Sequence, residues 1–442
     1  MPLASRDSAA PTPPMLKHWR EVKLQHPESI LFYRVGDFYE MFHEDAHLAA
    51  RILDITLTSR GDGVPLAGVP VKAAAEYLRL LVAAGHRVAI CEQVEDPKLA
   101  RGLVRREVVE TLTPGALMEE GWVAGSRNNW LVALQRDSGT AGRRDSDCGL
   151  AAIDLGTGEF VLESLREEGL VEALSRLSPA ELVVPSGGTD PLTRLPADPL
   201  TAPLTRCPAL VTSREPWEFD PDLAREELTR RFSLASLDGL GVGSEDDCAV
   251  GAAGALLRYL SELQPGGLPH LIRPIIRRSD AYLWIDEMTR RNLELVEPLR
   301  AGVRGCTLLE VIDATLTPMG GRLLRQWLLS PLRAPAAINA RLDAVEVNVR
   351  DARGRARLRE ALDGVRDVER LAGRAAAGRA TPRELGALRD SFQRLPDVAG
   401  ALNELAGSAL PAGGMSVALA QSSDELDLLA DLSTQLVAAL PE

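Results

Sequence analysis

The 442 residues are 45% hydrophobic and 26% charged, which excludes whole-chain disorder, a collagen repeat and a coiled-coil rod. The net charge of −13 argues against a protein coated end to end in nucleic acid, but leaves room for a local nucleic-acid site. No run of about 18 apolar residues occurs, so no transmembrane helix is expected. Met1 to Pro14 lacks the apolar core of a signal peptide and reads as a disordered leader. Cys91, Cys148, Cys207, Cys248 and Cys306 are odd in number and widely spaced, which fits neither a zinc site nor a disulfide framework and makes the cytosol the default compartment.

In chain order, Met15 to His26 reads as a short amphipathic helix and Ile30 to Val35 as a strand. Gly36 turns, and a helix is expected from Asp37 to about Leu53. Ile55 to Thr58 reads as a short strand, Ser59 to Pro70 as a Gly/Pro-rich loop, and Val71 to Ala84 as a helix stopped by Gly85. Val88 to Cys91 and Val104 to Leu112 read as strands, closing a mixed α/β domain over residues 15–125 after the 1–14 leader. A second α/β domain is expected over 129–264. Its polar stretch Arg136 to Asp147 reads as a surface loop, and Gly149 to Asp154 and Glu159 to Leu162 as a strand pair around Gly156-Thr157-Gly158. Past the Pro/Gly-rich run Gln264 to Pro269 a helical domain is expected over 270–442, and from Met288 onward helical periods dominate and strand signals vanish. Helices fit Met288 to Leu299, Pro318 to Leu329, Pro335 to Val349, Ala352 to Leu362 and Pro382 to Leu395, with three prolines at helix starts, where a missing N–H is harmless.

Val35-Gly36-Asp37-Phe38-Tyr39-Glu40-Met41-Phe42 supports two readings. In one, Asp37 caps a helix, Glu40 at the third position bonds back to the cap, and Phe38, Phe42, Ala46, Ala49 and Leu53 form its core face. In the other, the aromatic points outward to wedge into a base step and the carboxylate takes a hydrogen bond from the displaced base. Unstacking is least costly where pairing is already defective.

FYRVGDFYEMF, followed by ILDITLTSRG, PLAGVP, VAICEQVEDP and TPG, resembles the mismatch-binding domain of the MutS family of DNA mismatch-repair sensors. TRRNLELVEPLR, TLLEVIDATLTPMGGRLLRQWLLSPL, RLDAVE and DVERLAGRAAAGRATPREL resemble that family's lever-core domain. The resemblance implies a multidomain α/β plus all-α protein: a small mixed α/β mismatch-binding domain, a ribonuclease-H-like α/β connector and an incomplete helical lever-core. It gives Phe38 the stacking role and Glu40 the bond to the mispaired base. Arg60, Leu66, Arg105 and Arg106 are secondary DNA-contacting candidates; Leu66 stands where many relatives carry Met, which preserves an apolar contact. Lys98, Arg101, Arg105 and Arg106 form a basic stretch suited to phosphates, or simply a solvated loop and edge strand.

Ala152 to Gly158 (AIDLGTG) also resembles the first phosphate loop of actin-like kinases, but the companion motifs are missing and a plain hairpin explains it. His43 and His47 share a helical face without a third ligand, so no metal site and no catalytic residue are assigned. No G-x-x-x-x-G-K-[ST] occurs, so ATP hydrolysis is not expected of this chain. The resemblance implies that ATP and magnesium belong to an ATPase domain of the full-length protein, a weak DNA-dependent ATPase. This chain is expected to be its N-terminal half, lacking clamp and ATPase, with open apolar helix faces in the lever. The implied partners are mismatched double-stranded DNA, a second copy in a homodimer and a MutL-type repair factor docking through the connector, in a cytoplasmic, nucleoid-associated setting without a membrane.

Overall fold

The computed structural model describes residues 13–59, 63–95, 104–118, 121–136, 148–187, 210–264, 267–300, 305–410 and 415–440. Most of the leader and of the Arg136 to Asp147 loop, and all of Arg60, Lys98 and Arg101, lie outside them. The chain divides into two units, one of residues 1–114 with 260–265 and one of 115–259 with 266–442.

In the first unit, α1 (Pro14–Gln25), β1 (Ser29–Val35), β2 (Phe38–Phe42), α2 (His43–Leu53), β3 (Thr58–Ser59), β4 (Pro65–Pro70), α3 (Ala74–Ala83), β5 (Arg87–Gln93) and β6 (Arg106–Leu112) follow in turn. The strands form one sheet in the order β3-β4-β2-β1-β5-β6, antiparallel except for the parallel β1–β5 pair. Alternation along the strands splits the core between the two faces. Leu31, Tyr33, Phe42, Ala89 and Cys91 pack with Leu16, Trp19 and Val22 of α1. Phe32, Met41, Ala67, Val69 and Val88, equally buried, face the other way, toward α2 and α3.

Two expectations are corrected here. The helix begins at His43, not Asp37, because Phe38 to Phe42 form an interior strand bonded on both edges, to β1 and to β4. Gly36 at φ 58° closes the β1–β2 hairpin, and an aromatic-rich segment prefers the pleated surface. The 3.6 period holds for Phe42, Ala46, Ala49 and Leu53, all buried; Phe38 matched it by coincidence. Likewise, the Gly/Pro-rich run ends in β4, with Pro65 and Pro70 at the strand's two ends, and the short strand before it is Thr58–Ser59.

The second unit contains a mixed sheet of β7 (Trp130–Arg136), β8 (Cys148–Asp154), β9 (Glu159–Leu165), β10 (Glu181–Pro185), β11 (Leu210–Arg214) and β12 (Ile275–Arg277), in the order β11-β10-β7-β8-β9-β12. β7, β8 and β9 are antiparallel neighbours, while β10 runs parallel to β7 and β11 to β10. One face packs on α4 (Leu170–Leu177) through Val132, Leu134, Leu150, Ala152, Leu174 and Leu182. Gly149 lets α6 (Asp247–Leu263) approach: a Cβ there would lie 2.0 Å from the Ala249 backbone nitrogen. α5 (Pro221–Phe232) is capped by the Asp220 side chain.

After β12 the described residues form no further strand: α7 (Glu287–Asn292), α8 (Leu308–Ile312), α9 (Pro318–Leu329), α10 (Pro335–Arg350), α11 (Ala352–Leu362), α12 (Val368–Ala376), α13 (Pro382–Gln393), α14 (Leu395–Ala406), α15 (Val417–Asp424) and α16 (Ala430–Ala439). Pro318, Pro335 and Pro382 each occupy the first helical position, and Thr317 and Thr381 cap α9 and α13. The helix expected from Met288 stops at Asn292, before Glu294 turns left-handed at φ 47°. On α10, Leu342, Val345 and Val349 are each more than half exposed.

Three arginines of α9 and α12 grip the segment that leads into β7. Arg374 Nη1 donates to the Met118 carbonyl at 2.9 Å, Arg322 Nη1 to Gly125 at 2.7 Å, and Arg370 to Val123 and Ala124 at 3.3 Å and to Arg127 at 2.6 Å. Arg322 is itself held by Asp367 at 2.7 Å and Glu369 at 2.6 Å.

Candidate nucleic-acid interface

On β2, residues two apart share a face. Phe38, Glu40 and Phe42 therefore point one way, opposite Pro70, Gly68 and Leu66 of β4. α1 covers only one end of that face. Phe42 is fully buried with its ring 5.8 Å from Trp19, whereas Phe38 is 47% exposed and Glu40 partly so. Gly68 and Pro70 beside them are exposed too. An exposed phenylalanine next to a carboxylate is thus the open end of an otherwise covered surface.

The other face of β2 fixes the strand. Tyr39 is buried, 5.7 Å ring to ring from Phe32, with Arg34 over its own ring at 5.6 Å. Its hydroxyl donates to Glu92, which also pairs with Arg34 at 3.4 Å. Burial, and then the bond to the Glu92 carboxylate, push the Tyr39 hydroxyl up to about 12, so it stays a donor at neutral pH. Residues 38 and 40 are thereby presented on a backbone held from both edges and from behind.

The secondary candidates separate. Arg60 lies outside the described residues. Leu66 is half-buried, packed at the α1 core. Arg105 is exposed, 2.6 Å from Glu107, with its backbone N–H on Glu95 at 2.6 Å. Arg106 is buried and used internally: Nε donates to the Arg34 carbonyl at 2.7 Å, Nη1 to Val104 at 2.8 Å, and the guanidinium lies over the Tyr33 ring at 5.1 Å. Its placement is that of a strut, with these two groups spent inside the protein.

A second polar cluster lies in the second unit, at the β8–β9 turn. Asn128 Nδ2 donates to Asp154 Oδ2 and Glu159 Oε2, 3.0 Å each. The N–H groups of Asn129 and Gly156 donate to Asp154 at 3.2 and 2.9 Å. Gln326 of α9 reaches both Glu159 oxygens at 3.3 Å. Burial raises the Asp154 pKa. Burial, then the neighbouring Asp154, raises Glu159 to about 7. Asp154 is 1% exposed and its oxygens are already occupied, which suits a structural turn and not the metal–phosphate grip of the actin-like reading. Among the described residues no three metal-ligating side chains come together, and His43 packs against Trp19 at 5.3 Å. Sequence reading missed Asn128, Glu159, Gln326 and Arg370, whose partners lie up to 247 positions away and leave no local signal.

Three family profiles match in order: MutS domain I over residues 13–121, MutS domain II over 129–272 and MutS domain III over 288–439. The chain belongs to the MutS family. It is 42% identical over 434 residues to the DNA mismatch repair protein MutS of Desulfosudis oleivorans, covering 97% of this chain and 47% of that protein. Its counterpart in Salinibacter ruber is 41% identical over 406 residues, covering 90% and 43%, and that of Symbiobacterium thermophilum 41% over 441 residues, covering 97% and 48%. The chain thus spans about half the length of the curated relatives it matches. Among the described residues, no helix is long and apolar enough to cross a membrane.

Proposed function

We propose that this MutS chain senses mispaired or unpaired bases in duplex DNA, with Phe38 stacking on the displaced base and Glu40 accepting a hydrogen bond from it. One observation carries the reading: a half-exposed phenylalanine and a carboxylate stand side by side at the uncovered end of an interior strand whose reverse face is pinned by Tyr39, Glu92 and Arg34. A wedge must not yield when pushed into a base stack, and a strand bonded on both edges supplies that stiffness. The names of the relatives support the same assignment.

On this reading residues 15–125 form the mismatch-binding domain, 129–264 the connector and 270–442 the lever. The mixed β11-β10-β7-β8-β9 order supports a ribonuclease-H-like connector. In the full-length protein, recognition is coupled to ATP and magnesium at an ATPase domain, to homodimer formation and to a MutL-type factor. Arg105, exposed just before β6, is a candidate phosphate contact.

The test compares full-length protein with Phe38→Ala on duplexes differing by one mispair. Losing a base–aromatic stack is worth about 1–3 kcal/mol, so the preference for the mispaired duplex is expected to fall roughly 10- to 100-fold. A preference left intact refutes the wedge.

A further inference from the structure

Gly68 lies within β4, directly opposite Glu40. A glycine in a strand interior weakens the strand, so it needs a reason. Gly36, Gly63 and Gly85, the other described glycines of this unit, have one: φ of 58°, 80° and 87°. Gly68 has no positive φ. Nor does crowding demand it. A Cβ built there would lie 3.7 Å from the Tyr39 carbonyl oxygen, 3.9 Å from Glu40 Cγ and 4.0 Å from Phe38 Cδ1, all ordinary contacts. The chain itself thus has room for a methyl at 68, and neither a positive φ nor contact with that methyl accounts for the glycine.

That Cβ would stand on the exposed face, touching the two side chains that the proposed function uses. We infer that Gly68 is a specificity-determining residue: its bare backbone forms the floor of a slot between Phe38 and Glu40 into which a displaced base descends far enough to meet both. This rests on the wedge reading of Phe38 and Glu40. With a methyl at position 68, the base would ride higher, keeping partial overlap with the Phe38 ring while losing reach to the Glu40 carboxylate. A β-branched side chain would close the slot. Matched duplex, which sends no base into the slot, would be insensitive.

The experiment uses full-length protein with Gly68→Ala, Gly68→Val and Phe38→Ala, measuring affinity for matched and singly mispaired duplexes together with thermal melting. Gly68→Ala is expected to cut the mispaired-over-matched ratio about tenfold, the scale of one methyl in a fitted pocket, with matched affinity unchanged. Gly68→Val should cut it further, and Gly68→Ala should not lower the melting temperature. If Phe38→Ala abolishes the ratio while Gly68→Ala leaves it within about twofold, the slot is refuted and the wedge survives. If neither variant changes it, both fail together. A marked drop in melting temperature with Gly68→Ala would show that the fold itself needs the glycine and would also overturn the proposal.

Discussion

The chain contains two hairpins that each carry a carboxylate close to a glycine turn, and they meet opposite fates. At the β8–β9 turn, Asp154 and Glu159 lie among donors that the fold itself supplies: Asn128, the Asn129 and Gly156 amides, and Gln326. At the β1–β2 hairpin, Glu40 stands with Phe38 on a face that the helices leave open. The difference teaches how to weigh an acidic motif. Enclosure marks the first motif as architecture; exposure on a strand stiffened from behind leaves the second accessible to a ligand.

The largest expected effect breaks the comparison on the architectural side. Asp154→Ala takes its acceptor from the buried Gly156 amide and from the part-buried Asn129 amide, and leaves Asn128 with Glu159 alone, at about 1–3 kcal/mol per lost bond, so a loss of roughly 2 kcal/mol or more in unfolding free energy is expected by urea titration. A loss below about 1 kcal/mol would mean that the fold does not need the Asp154 carboxylate. Phe38→Ala sharpens the contrast in stability as well as in binding. Truncating a core phenylalanine costs about 3–5 kcal/mol, whereas this half-exposed ring should cost under about 1.

Glu159→Gln is next in size and depends on pH. The folded-state pKa of about 7 lies above the ordinary 4.5. Its contribution to stability is therefore complete below about pH 4.5 and is lost as pH rises through 7. The parent protein is expected to lose on the order of 1–3 kcal/mol relative to Glu159→Gln between pH 5 and 8, read from melting curves at both. Parallel curves would mean that Glu159 is not held in its neutral form. The smallest effect belongs to Glu40→Ala. Removing an anion near phosphates should tighten binding to matched duplex by about 1 kcal/mol. The gain should fade between 0.1 and 1 M salt as the Debye length drops from about 10 to about 3 Å. A matched-duplex affinity indifferent to both substitution and salt would return Glu40 to a structural role.

Much of this was legible in the sequence, for identifiable reasons. Prolines at helix starts located α9, α10 and α13, since N1 is where a missing N–H does no harm. Gly85 marked the end of the helix before it by its φ of 87°. β2 was misread because FYEMF joins a true helical period at Phe42, and only tertiary pairing with β1 and β4 decides between the two. The error has a geometric consequence: residues two apart on a helix diverge by about 200°, whereas on a strand they stand side by side. The F-x-E pair can act jointly because the segment is a strand. The internal bonds of Arg106 were not legible because its carbonyl partners, Arg34 and Val104, carry no charge to give them away. The Asn128–Asp154–Glu159–Gln326 cluster is assembled wholly by long-range packing.

The grip of Arg322, Arg370 and Arg374 on Met118, Val123, Ala124, Gly125 and Arg127 is made on carbonyl oxygens. Every amino acid supplies the same carbonyl, so this junction reads spacing and not identity. The side chains at Val123, Ala124 and Arg127 are free to drift without loosening these bonds, while one residue inserted or removed would shift the register of all that follow. The segment is a ruler written in backbone, able to diverge in letters while keeping its count.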